Sequence, residues 1–96
     1  MYKQKHILVI DDDKKLGSLL KSFLTEKGYL VDFVENTLIA REKLSNIIFD
    51  LLILDVMLPK ENGLSFASKL RINNDTPILM LSAMSAPRDR IKGLKT

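Results

Sequence analysis

The chain has no cysteine among its 96 residues. That excludes a disulfide framework, a thiolate metal site and a thiol nucleophile, and it suits a reducing compartment. No apolar stretch approaches the roughly 20 residues a membrane-spanning helix needs. The apolar run after the basic start "MYKQKH" is too short for a signal peptide and ends in Asp11, so a cytoplasmic chain with no membrane role is expected. Aromatic residues are scarce at 6%, and there is no repeat, low-complexity tract or internal linker. What is present fits a soluble globular domain, with 46% hydrophobic and 28% charged residues. A chain of this length forms one domain at most and buries only about 65% of its unfolded surface. The net charge of +3 is spread mostly over expected helical faces, and the densest basic stretch, Arg88, Arg90, Lys92 and Lys95, has no interleaved aromatics. Direct nucleic-acid binding by this segment is therefore not expected.

Unbroken apolar runs at residues 7–10, 51–54 and 78–81 read as strands buried on both faces, as in a parallel sheet. A further strand, 29–34, is interrupted by Asp32, which fits an edge position. Between the runs the period becomes helical. Leu16, Leu19, Leu20, Phe23 and Leu24 draw one apolar stripe, and Gly28 supplies a stop. A second helix is expected from a cap at Asn36 or Thr37, with Ala40, Leu44 and Ile47 or Ile48 inward. A third follows "PKENG", buries Leu64, Ala67 and Leu70, and ends at "NNDTP". Residues 87–94 begin another helix. Alternation of strand and helix with right-handed crossovers predicts an open parallel α/β sheet with helices on both faces.

Ligands of such sheets bind beyond the carboxyl ends of the strands. The residues that end the runs are Asp11 and Asp12, Asp55, and Ser82. Asp13 reads as the start of a helix. Asp11, Asp12 and Asp55 are harder to dismiss as capping residues, since two ionised carboxylates about 5 Å apart at an effective dielectric of about 20 repel by about 3 kcal/mol. A cation offsets that cost. Oxygen-only ligands select a hard ion, and Mg2+ with retained waters fits better than zinc. An aspartate beside Mg2+ can also attack phosphorus to form an acyl phosphate. Ser82 could then donate a hydrogen bond to a phosphoryl oxygen, the plain alternative being a hydroxyl satisfied by nearby backbone.

The stretches "ILVIDDD", "DLLILDVMLPKENGL" and "TPILMLSA", in this order and spacing, resemble the receiver domain of two-component response regulators. The resemblance covers the whole chain. It implies a flavodoxin-like sheet of order 2-1-3-4, with Asp55 as the phosphorylated aspartate and Asp11 and Asp12 as the acidic pair. It implies Mg2+ ligation by Asp12, Asp55 and the backbone carbonyl of Met57, with Asp11 as a further metal-site acid, directly or through water. Ser82 matches the switch hydroxyl, and Ala83 the small residue that leaves room for the phosphoryl group. Pro59 and Gly63 shape the loop after the acceptor. "DRIKGL" is similar to receivers joined to winged-helix DNA-binding domains of the OmpR type.

The family continues through a strand five that carries a lysine, and then a helix five; neither is found before Thr96. The expectation is a single receiver domain over 1–96, truncated at its C-terminal side. Without the lysine, phosphorylation is expected to be slow or short-lived. Strand four would become an exposed apolar edge, which predicts a homodimer or a swapped assembly. The leading functional expectation is a phosphoacceptor served by a histidine kinase, with no independent enzymatic turnover. The alternatives are a non-switching interaction module and an aspartate-nucleophile hydrolase, the latter weakened by the lack of room for a substrate cap.

Overall fold

The structure, a computed structural model, describes residues 4–81. Strands β1 (His6–Ile10), β2 (Leu30–Val34), β3 (Leu51–Asp55) and β4 (Ile78–Leu81) alternate with helices α1 (Lys14–Glu26), α2 (Thr37–Asn46) and α3 (Gly63–Leu70). All pairings are parallel, in the order β2-β1-β3-β4. This is the expected sheet, with β2 at one edge. The expected helix at 87–94, the basic stretch around it, Ser82 and Ala83 lie outside the described residues.

Successive side chains of a strand face opposite sides, so each unbroken run feeds two cores. Leu8, Ile10, Leu52 and Leu54 pack with Ala40 of α2 and Phe66 of α3 on one face. Ile7, Val9 and Ile53 pack with Leu20 and Leu24 of α1 on the other. Asp32 tolerates its place in β2 because His6 and Lys43 meet its carboxylate at 3.2 and 3.7 Å.

Capping follows the expected chemistry. Asp13 accepts from the Lys15 and Leu16 amides at 3.0 and 3.1 Å to start α1, and Asn36 accepts from the Ile39 amide at 2.9 Å to start α2. Beyond α1, Gly28 takes φ 98°, a left-handed conformation open to glycine.

The inward faces of α1 and α3 differ from the expectation. Leu19 and Phe23 of α1 are 66% and 53% exposed, while Gly17 is buried. A Cβ on Gly17 would overlap the Phe33 ring of β2, so the helix is turned to bring its glycine closest to the sheet. At about 100° per residue, that rotation keeps Leu20 and Leu24 inside and carries Leu19 and Phe23 out. In α3, Leu64 is exposed and Phe66 is buried in its place. In α2 the expected face holds: Ala40 is buried and Leu44 and Ile47 pack inward, while Ile48 is exposed and Phe49 adds to the core.

Candidate functional site

Register builds the site. Ile10 of β1 pairs with Leu54 of β3, so the next residue of each strand, Asp11 and Asp55, arrives side by side on the carboxyl rim of the sheet. Asp55 pairs in turn with Leu81 of β4. The Asp11 amide is held by the Val34 carbonyl at 3.1 Å. Asp11 and Asp55 are buried, Asp12 is exposed, and one carboxylate oxygen from each can be chosen so that all lie within 4.8 Å of one another.

Burial foremost, joined by the charges of Asp55, Asp12 and Asp13 and opposed by one backbone hydrogen bond from Asp13, pushes the Asp11 carboxyl up from 3.8 to about 6. That bond, 2.8 Å from the Asp13 amide to Asp11 Oδ1, also fixes the turn from the rim into α1. Asp55 Oδ1 accepts the Met57 amide at 3.0 Å, which aims the chain into the following loop.

This donor set fits Mg2+. It is all oxygen, and it is compact. Ligands across one Mg2+ shell lie about 4.2 Å apart, twice the usual metal–oxygen distance, so a spread of 4.8 Å suits a cluster with one acid acting through water. Met57 and Asp12 line one cleft of about 400 Å³ with the loop 56–62, which places the proposed carbonyl ligand in the same region.

The loop itself is tightly built. The Gly63 amide donates to the Val56 carbonyl at 2.9 Å, and a Cβ on Gly63 would run into the carbonyl oxygen of Asp55 and come within 2.9 Å of Val56 Cα. Glycine is therefore required for α3 to start against the end of β3. Lys60 has φ 68°, the left-handed region that costs a residue with a side chain about 1 kcal/mol. Sequence reasoning identified Pro59 and Gly63 but missed this strained lysine and the role of its neighbour Glu61. The Glu61 carboxylate pairs with Arg41, a partner 20 positions away, and no local pattern announces a pair so distant in sequence.

Comparison with known proteins agrees with the geometry. The profile of the response regulator receiver domain family matches residues 7–96. Protein PetR of Rhodobacter capsulatus is 44% identical over 90 residues, covering 94% of this chain and 38% of that protein. Transcriptional regulatory protein CpxR of Escherichia coli is 43% identical over 89 residues, covering 93% of this chain and 38% of that protein. The chain thus spans well under half the length of these curated relatives. Among solved structures, a chain of the complex of histidine kinase ThkA with response regulator protein TrrA superposes with a TM-score of 0.80 at 40% identity, covering 88% of this chain and 74% of that one. The sheet order, the acidic rim and the reach of the profile agree: this chain belongs to the response regulator receiver domain family of two-component signalling.

Proposed function

We propose that Asp55 takes a phosphoryl group from a phosphohistidine of a histidine kinase, and that the modified domain sets the output of a longer, cytoplasmic transcription regulator. The observation that carries this reading is the acidic rim, Asp11 and Asp12 gathered around the buried Asp55. A carboxylate oxygen of Asp55 attacks phosphorus; the O–P bond forms as the P–N bond breaks, and the electron pair of that bond leaves with the imidazole nitrogen. Asp11, Asp12, Asp55 and the Met57 carbonyl are the proposed Mg2+ ligands. When bound, Mg2+ offsets the charge of the transferred group against that of the rim. Ser82 would donate to a phosphoryl oxygen and Ala83 would leave it room, both by family resemblance. The domain accepts one phosphoryl group per cycle, without independent turnover and without direct contact to nucleic acid. The complex of TrrA with a histidine kinase supports the partner, and the similarity to CpxR, a transcriptional regulatory protein, supports the transcriptional output.

Incubation with a phosphohistidine donor, followed by mass spectrometry, tests the assignment. Phosphate is expected on Asp55, dependent on Mg2+ and lost in Asp55→Asn; a label that persists in that variant defeats it. We further propose that copies pair or swap through β4, which edges the sheet of the described residues and carries the partly exposed Ile78, Leu79 and Leu81. Light scattering is expected to report a dimer, and a monomer at micromolar concentration would rule the pairing out.

A further inference from the structure

Glu61 lies outside the acidic rim, yet its carboxylate is held by several side chains. Arg41 of α2 grips it with both arms of the guanidinium, Nη1 to Oε1 at 2.7 Å and Nη2 to Oε2 at 2.8 Å. Lys69 of α3 reaches Oε2 at 3.4 Å, and the side chain of Thr37, buried at the start of α2, adds a further hydrogen bond. The guanidinium of Arg41 also lies 4.9 Å from the centre of the Phe66 ring, and Phe66 is a core residue only 1% exposed. The pair is therefore seated on the core. Its contrast is Lys14 with Glu35, 3.9 Å apart with side chains 75% and 48% exposed, an ordinary solvated contact.

What this pair holds is the strained bend of the acceptor loop. The Glu61 amide donates to the Pro59 carbonyl at 2.7 Å, closing a tight turn around the left-handed Lys60. Met57, at the inner end of the same loop, is fixed by its amide to Asp55. A bend under strain relaxes unless something outside it resists, and Glu61 is tied to helices on either side of the loop.

We infer that the Arg41–Glu61 pair is a positioning clamp, holding the loop 57–61 so that the Met57 carbonyl stays available to the cation and coupling α2 to the acceptor site. The inference rests on the Mg2+ reading given above. Neither residue is proposed as a ligand; each acts through the loop backbone.

Charge and geometry make different predictions, which gives the test its discrimination. Glu61 and Asp12 line the same cleft. If the two residues acted on the cation only through their charges, removing the cation Arg41 would tighten Mg2+ binding and removing the anion Glu61 would weaken it. A clamp weakens binding in both cases. Calorimetric titration of the whole chain with Mg2+ is the measurement, with circular dichroism recorded on each variant. Arg41→Gln and Glu61→Gln are each expected to bind Mg2+ about three- to tenfold more weakly. The reversed pair Arg41→Glu with Glu61→Arg is expected to recover part of that loss, and Lys14→Gln to change nothing. Arg41→Lys keeps the charge and loses the fork, so it decides the matter if a bolder variant unfolds; weaker binding is expected there too. Tighter binding in Arg41→Gln, or affinities within twofold of wild type in all folded variants, overturns the clamp and leaves the metal site standing. Failure of the wild-type chain to bind Mg2+ overturns the metal reading and the clamp with it.

Discussion

Two carboxylate centres flank the loop after β3, and they handle negative charge in opposite ways. At the rim, burial and three neighbouring aspartates raise Asp11 to about 6, with a single backbone hydrogen bond in opposition. At the clamp, the hydrogen bonds of Arg41, Thr37 and Lys69 outweigh a smaller desolvation and lower Glu61 from 4.5 to about 2. Glu61 has its cations built in. Asp11 instead lies among further anions, Asp12, Asp13 and Asp55. Of two acidic clusters along one loop, the one that gathers anions is the proposed cation site and the ion-paired one is the proposed scaffold.

The largest test of that contrast is Asp11→Asn. It keeps an acceptor for the Asp13 amide while removing a buried charge from a crowded rim. The metal-free protein is expected to gain about 1 to 2 kcal/mol at neutral pH, since one pKa unit corresponds to about 1.4 kcal/mol and part of the shift is screened. Mg2+ affinity is expected to fall more than about tenfold. Urea unfolding with and without Mg2+ measures both. A variant less stable than wild type without metal would show that the rim is not under electrostatic stress.

The strands were legible because buried parallel strands need unbroken apolar runs, and runs of that kind have few other uses in a short chain; their order came from the family resemblance. The rim was legible for the same reason, since residues that follow those runs arrive at one edge. The faces of α1 and α3 were read less well, and the two share a cause. Gly17 and Gly63 each mark the point where a helix comes closest to the sheet, and an expectation built on large apolar side chains passes over a residue that has none. Centring α3 on Gly63 places Phe66, Ala67 and Leu70 inward and Leu64 outward, as observed. The clamp was not legible at all. Arg41 sits on a helix face that reads as solvated, and Glu61 in a loop that reads as a turn; only the fold brings them together.

The pH dependence sharpens the contrast at two separate limbs. Asp11 is raised in the folded state, so its favourable contribution is present below 3.8 and lost as pH rises through about 6. Metal-free stability is therefore expected to decline across that window by about 1 to 2 kcal/mol, while Mg2+, which needs the ionised acid, binds more tightly over the same range. Saturating Mg2+ should flatten or reverse the slope, and Asp11→Asn should remove it.

The acid limb is the smaller effect and belongs to Glu61. Its folded value is lowered, so the stability it contributes is present above 4.5 and is lost as pH falls through about 2. Taken at face value the shift is large, but Arg41 is 43% exposed along its side chain and water screens the pair, so about 1 kcal/mol is the expected loss. Denaturant midpoints between these pH values, compared for wild type and Glu61→Gln, isolate it. The variant should lack most of the acid-limb loss, and its remaining slope should match that of wild type above 4.5, where Asp11 alone of the two is titrating. An acid limb left unchanged by Glu61→Gln would mean that Arg41 gives the loop no net electrostatic support. The contrast between rim and clamp would then rest on the burial of Asp11 alone.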